Sequence, residues 1–347
     1  METPCVTSSI RGFEDSAMTD PLLEIKGLSV RFFTYQGIVR ALEEVDLTIG
    51  RGEILGLVGE TGCGKSVMAR SVLRLIPDPP GKISHGEILF KGEDILKLRP
   101  RRLREIRGND ISMIFQEPMS SLNPVFRVGN QIQEVITLHQ KVDRRRARGA
   151  AVEMLQQVNM PDPEQVLRKY PHELSGGMRQ RVMIAMELSC RPDLLIADEP
   201  TTALDVTVQG QVLTILNDLV RRLGISVLFI SHDLGVIAQL CDRVSVMYAG
   251  KIVETAPVAR LFAEPAHPYT RGLLQAIPSL DEERDSLRVI PGIVPRLVEP
   301  PGGCRFHPRC AARFAPCDRL VPGAVEVGPG HQVACHLYGE REAGKRS

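Results

Sequence analysis

The stretch Gly59-Glu60-Thr61-Gly62-Cys63-Gly64-Lys65-Ser66 constrains this chain more than any other. Two glycines frame four residues and lead into Lys-Ser, a phosphate-loop pattern that requires a strand before it and a helix after it. Both are legible. Glu53 to Val58 (EILGLV) is an apolar run of strand length, and Val67, Met68, Val72, Leu73 and Leu75 recur at helical spacing. The glycines let the backbone N–H groups of Gly59, Thr61, Gly62, Cys63, Gly64 and Val67 turn toward a polyphosphate, and the following helix presents its positive end. Lys65 brings a charge to the β and γ phosphates, and Ser66 offers a hydroxyl to Mg²⁺. The pattern predicts a nucleoside triphosphate site.

Length and charge bound the rest. A chain of 347 residues has room for about two domains. Lys plus Arg number 43 against 42 Asp plus Glu, a net charge of +1, so no global field recruits nucleic acid or anionic lipid. No apolar run approaches the roughly 18 residues that cross a bilayer, and residues 1–20 carry no signal-like apolar core. This predicts a chain on the cytoplasmic side with a disordered leader over 1–20, and Met18 is an alternative start.

From Leu22 to Ile49 the apolar positions alternate, which predicts an antiparallel layer beside the nucleotide sheet. Arg99 to Arg107 reads as a basic helix with a solvated face. Ile111 to Phe115 is a buried strand ending at Gln116. Val128 to His139 and Asp143 to Val158 carry helical spacing, with Asp143 as N-cap. A helix after Gly177, the strand Leu194 to Asp198, a helix stopped by Gly224 and the strand Ser226 to Ile230 follow. That order predicts a largely parallel α/β sheet with chemistry at the carboxyl ends of its strands.

Asp198-Glu199 at a strand end suits Mg²⁺-dependent phosphoryl transfer, with Asp198 on the metal and Glu199 polarising water. Taken with the phosphate loop, Gln116, Leu174-Ser175-Gly176-Gly177-Met178-Arg179-Gln180-Arg181, Ala203-Leu204-Asp205 and His232, the chain resembles an ABC-type ATPase cassette from Leu22 to Phe262. The resemblance implies an ABC-type P-loop nucleotide-binding domain over 21–263: a RecA-like parallel sheet core, an antiparallel β layer and a helical subdomain at about 117–185. It also implies that two cassettes pair head to tail, so that Ser175, Gly176 and Gly177 meet the partner's γ-phosphate. Phe32 would stack on adenine, with Tyr35 as the rival. Gln116 would touch Mg²⁺ alongside Ser66 and Asp198, Asp205 would communicate across the dimer, and His232 would contact the γ-phosphate. ATP hydrolysis is the expected activity, with Lys65, Gln116, Glu199 and His232 as its catalytic residues.

Three stretches narrow the resemblance to the ATPases of oligopeptide and dipeptide importers, a group that also covers nickel. They are Gln116-Glu117-Pro118 with Ser120-Ser121-Leu122-Asn123-Pro124, the helix Arg179 to Met186, and His267-Pro268-Tyr269-Thr270-Arg271-Gly272-Leu273-Leu274. This implies peripheral attachment at the cytoplasmic face of the cell membrane. The implied partners are two transmembrane permease subunits, an extracytoplasmic substrate-binding protein and a second ATPase, a related chain in preference to a second copy. No nucleic acid is implied.

Residues 264–347 form a C-terminal extension with Cys304, Cys310, Cys317 and Cys335, separated by gaps of five, six and seventeen residues. From Pro291 it is rich in Pro and Gly and lacks apolar periodicity, so it needs a staple. The resemblance implies a four-iron four-sulfur cluster on these thiols. Zinc, with His307, His331 or His336 substituting, and free thiols stay open. Cys63 reads as a small tolerated loop residue. The rival function is an ABC-type ATPase of nucleic-acid repair or ribosome recycling; the single phosphate loop, the absence of sustained heptads and the neutral charge speak against it.

Overall fold

The computed structural model describes residues 20–116, 122–201, 205–276 and 290–339. Met18, Glu117, Pro118, Ser120, Ser121, Ala203 and Leu204 lie outside the described residues. Twelve strands form two sheets among the described residues. In chain order they are β1 (Leu23–Thr34), β2 (Gly37–Ile49), β3 (Ile54–Val58), β4 (Gly81–Phe90), β5 (Glu93–Asp94), β6 (Ile111–Ile114), β7 (Leu194–Asp198), β8 (Ser226–Ile230), β9 (Arg243–Tyr248), β10 (Lys251–Pro257), β11 (Ala324–Gly328) and β12 (His331–Ala334).

The alternating segment at the start makes the expected antiparallel layer, ordered β2-β1-β4-β5. The second sheet is mixed and ordered β11-β12-β10-β9-β3-β8-β7-β6. Its centre is parallel, from β9 through β3, β8 and β7 to β6. Every residue of β3, β6, β7 and β8 is buried, as expected of strands covered on both faces. Successive side chains feed opposite cores. Leu195, Ala197, Val227 and Phe229 join the core with Val182, Ile184, Leu188 and Leu216 of the helices on one side. Leu194, Ile196, Leu228 and Ile230 join Leu23, Ile25, Val45 and Met68 on the other. The antiparallel layer and the helix after the phosphate loop thus cover one face, and the long helices cover the second.

Between β6 and β7 stand the helices Val128–Gln140, Arg144–Gln157, Pro163–Val166 and Gly176–Leu188. Asp143 is the N-cap expected from the sequence, its carboxylate accepting from the Arg146 N–H. Gly224 ends the helix Val206–Leu223 in the left-handed conformation at φ +66°.

The C-terminal extension carries a hairpin that the sequence does not signal: β11–β12 adds to the edge of the main sheet, β12 pairing antiparallel with β10. β11 is largely exposed and buries no residue. The hairpin is fastened by buried Glu254, which accepts from the N–H groups of Ala266 and His267 at 2.7 and 2.9 Å and lies 2.7 Å from His331 Nε2. His331, an alternative metal ligand on the sequence, is committed to that pair.

Candidate active site

The loops that follow four adjacent parallel strands carry the groups expected to do chemistry. The phosphate loop follows β3, Gln116 lies two residues beyond β6, Asp198 ends β7 with Glu199 next, and His232 lies just after β8. Adjacent strand ends are about 5 Å apart, so groups distant in sequence converge without long reaches.

Glycine is required at position 59. Its φ is +154°, and a Cβ there would lie 2.2 Å from the Met247 carbonyl oxygen. The helix Lys65–Val72 starts directly after the loop, and the Gly250 N–H donates to the Cys63 carbonyl at 2.7 Å. Lys65 is buried, and its ammonium donates to the carbonyl oxygens of Gly59 and Glu60 at 2.7 and 3.2 Å. Cys63 is fully buried, and burial pushes its thiol up from the ordinary range, which suits the reading of a small loop residue.

Ser66 Oγ donates to Asp198 Oδ1 at 3.1 Å. Burial raises the Asp198 carboxyl's pKa, while the Ser66 hydroxyl pulls the other way and the Glu199 charge adds to the rise. Asp198 is buried and Glu199 half-buried beside it, a pair of neighbouring carboxylates that suits a cation. Glu199 has φ +49°, in the left-handed region that a β-strand does not use, while its N–H still donates to the Ile230 carbonyl at 3.0 Å. Non-glycine residues held in such a conformation concentrate at functional sites. Gln116 Nε2 donates to Glu199 Oε2 at 2.9 Å, and His232 Nδ1 lies 3.5 Å from Oε1.

Ser175, Gly176, Gly177 and Asp205 sit elsewhere. Ser175 Oγ caps the helix Gly176–Leu188 by accepting from the Met178 N–H at 3.3 Å. Asp205 caps the helix Val206–Leu223 through the Val208 N–H at 3.0 Å. Gly177 runs close to that second helix, where a Cβ would lie 2.5 Å from Val208 Cγ1. Among the described residues no hydrogen bond joins these four to the phosphate loop of the same chain. Phe32 is half-buried and packs on the core of the antiparallel layer, whereas Tyr35 stands fully exposed at the β1–β2 turn.

The four C-terminal cysteines line one small cavity together with His267, His307 and His336. Burial pushes the Cys304 thiol up to about 11, and it raises Cys310 and Cys335 as well. No group of three or more His, Cys, Asp or Glu among the described residues is placed to hold a single metal ion. Among the described residues, two side chains to which the sequence assigns no role hydrogen-bond the phosphate loop, those of Tyr269 and Arg309. Tyr269 lies inside the His-Pro-Tyr stretch; Arg309 gave no signal beyond its place beside Cys310.

This fold and site define an ABC-type ATPase cassette. The family model for ABC transporters matches residues 42–202, and that for the C-terminal region of oligopeptide/dipeptide transporters matches 253–317. A probable peptide ABC transporter ATP-binding protein of Sinorhizobium fredii is 52% identical over 93% of this chain and 96% of its own length. The dipeptide transport ATP-binding protein of Bacillus subtilis is 47% identical over 93% and 96%, and a probable D,D-dipeptide transport ATP-binding protein of Escherichia coli is 50% identical over 94% and 99%. Among solved structures, a dimeric ATP-binding cassette in a post-hydrolysis state with ADP and phosphate matches at a TM-score of 0.61 and 25% identity, covering 68% of this chain and 98% of that one. The chain belongs to the ABC transporter ATP-binding family, in the branch of peptide-transporter ATPases, and it is an ATPase.

Proposed function

We propose that this chain is the ATP-hydrolysing motor subunit of a peptide importer, converting ATP-driven closure of a cassette dimer into uptake of oligopeptides or dipeptides. One observation carries the reading: the phosphate loop, Asp198, Glu199, Gln116 and His232 gather at neighbouring strand ends, while Ser175 to Gly177 present a capped helix start with no phosphate of their own. A helix N-terminus with free N–H groups suits an anion, so a second cassette completes the site. The names of the relatives support peptide as cargo.

In this reading Lys65 leaves the carbonyls of Gly59 and Glu60 for the β and γ phosphates. The N–H groups of Gly59, Thr61, Gly62, Cys63, Gly64 and Val67 cradle the polyphosphate, and Phe32 stacks on adenine. Ser66, Gln116 and Asp198 would hold Mg²⁺, which neutralises charge on the phosphate oxygens. Glu199 takes a proton from the attacking water, His232 steadies the γ-phosphate, and Asp205 passes the state of one site to the other. The cassette spans 21–263, with a helical subdomain at about 117–185, and the extension spans 264–347.

The partners of the reading are two permeases, a second and related ATPase, and an extracytoplasmic binding protein reached through the permeases. No helix among the described residues is long and apolar enough to cross a membrane; in this reading attachment to the cytoplasmic face is through the permeases. Cys304, Cys310, Cys317 and Cys335 would hold a four-iron four-sulfur cluster. The shared cavity that all four thiols line is what supports this assignment. Iron and acid-labile sulfide in anaerobically purified protein test that assignment.

The functional test is anaerobic extraction of the tagged chain in mild detergent, with mass spectrometry of what copurifies. Two polytopic permeases and a second cassette are expected. Recovery of ribosomal or DNA-repair components alone would overturn the importer reading.

A further inference from the structure

Glu60 is the first of the four residues between the framing glycines of the phosphate loop, and a carboxylate there is an obstacle: it adds negative charge where a triphosphate must bind. The structure meets it from the C-terminal extension. Arg309 Nη1 donates to Glu60 Oε2 at 2.7 Å and Nη2 donates to Oε1 at 3.1 Å, a two-pronged pair with the arginine side chain only 5% exposed. Such paired, charge-assisted bonds fix direction as well as charge. The backbone of the same residue is held too, since the Glu60 N–H donates to Tyr269 Oη at 2.9 Å. The Glu60 carbonyl accepts from Lys65. Glu60 thus lies between the extension and the lysine expected to meet the phosphates.

Both contacts are rigidly backed. Tyr269 is fully buried, and its ring packs against Tyr248 and Phe306 with centroids 4.6 and 5.4 Å away. The Arg309 guanidinium lies over the Tyr248 ring at 5.8 Å, and its Nε donates to the Pro291 carbonyl at 2.9 Å. Phe306 and Arg309 belong to the turn between Cys304 and Cys310. That turn is set by the Cys304 N–H donating to the Cys317 carbonyl, and by the N–H groups of His307 and Arg309 donating to the carbonyls of Cys304 and Phe306.

We infer that Arg309 and Tyr269 are positioning residues of the phosphate loop, through which the cysteine-bearing turn sets the affinity of the cassette for ATP. Arg309 neutralises Glu60 and turns its carboxylate away from the phosphates, and Tyr269 fixes the backbone whose carbonyl meets Lys65. The coupling predicts that disturbing the turn weakens nucleotide binding without touching a group that handles the reaction.

The test is ATP binding by titration calorimetry in a Glu199→Gln background, so that binding is read apart from turnover. Arg309→Ala is expected to weaken ATP about tenfold, and Glu60→Gln added to it is expected to restore most of the affinity because the unpaired carboxylate is then gone. With an intact Glu199, the Arg309→Ala loss falls on KM for ATP while kcat stays within about twofold. A merely structural arginine gives another pattern: lowered thermal stability, no rescue by Glu60→Gln and no split between KM and kcat. Unchanged ATP affinity in Arg309→Ala, or a loss that Glu60→Gln does not relieve, overturns the inference. Should Arg309→Ala fail to fold, Tyr269→Phe keeps the ring packing and removes only the hydroxyl. A loss of about threefold in ATP affinity is expected there, and an unchanged affinity overturns the inference. The inference rests on ATP binding at this loop: wild-type protein that binds no ATP sinks both readings, whereas normal wild-type binding with an indifferent Arg309→Ala sinks only the coupling.

Discussion

Gln116 donates through Nε2 to Glu199 Oε2 at 2.9 Å, tying the segment after β6 to the end of the neighbouring strand β7. The other carboxylate oxygen lies 3.5 Å from His232 Nδ1, beyond β8. Both oxygens of Glu199 are therefore addressed from adjacent strand ends, and the left-handed backbone at Glu199 turns the carboxylate toward those partners. In the proposed function this is the carboxylate that orients the attacking water.

The phosphate loop leaves no room for a side chain at position 59. Gly59→Ala would bring a methyl within 2.2 Å of the Met247 carbonyl oxygen at a φ of +154°. The neighbour is backbone, which cannot rotate aside. The substitution is expected to abolish measurable ATP binding and to lower stability by about 1–3 kcal/mol, read by nucleotide titration and thermal melting.

Glu187, in the helix Gly176–Leu188, predicts a pH dependence. Burial pushes its carboxyl up to about 7, with the Met113 backbone and Ser112 pulling the other way. The folded state then holds a proton that the unfolded state has already released between about pH 4.5 and 7. Stability owed to this group is therefore full below that window and falls as pH rises through it. Glu187→Gln should remove this part of the slope and leave the variant more stable than wild type at pH 8, as measured by denaturant melts across the range.

Arg305 fastens the extension to the cassette by donating to the Ala249 carbonyl and to Glu43 Oε2. Its side chain is 4% exposed, while Glu43 retains 27%, so water compensates part of the loss on one side only. Arg305→Met is expected to cost about 1–3 kcal/mol and to raise proteolytic sensitivity within 290–339 before the cassette unfolds, which limited proteolysis would reveal.

The parts of this site that the sequence made legible are those encoded over short spans. The phosphate loop, the Asp143 cap and the apolar strand before Glu199 each occupy adjacent positions whose periodicity can be read directly. The Glu60–Arg309 pair joins residues 249 positions apart, and a charge on a loop and another beside a cysteine carry no common spacing. The β11–β12 hairpin escaped for a different reason. It extends an existing sheet edge over only a small cluster of Ala266, Val333 and Cys335, so β12 buries only His331 and Val333 and β11 buries no residue. In the sequence Glu254 looks like any solvated strand residue, because the partners that bury it, Ala266, His267 and His331, come from other segments.

The measurement that bears most directly on the account is phosphate release by the purified chain with Mg²⁺ and ATP, wild type beside Glu199→Gln, with ATP binding determined on both. The account predicts a fall in turnover of about 10²- to 10⁴-fold in the variant with ATP affinity retained. Wild-type turnover in Glu199→Gln would contradict it.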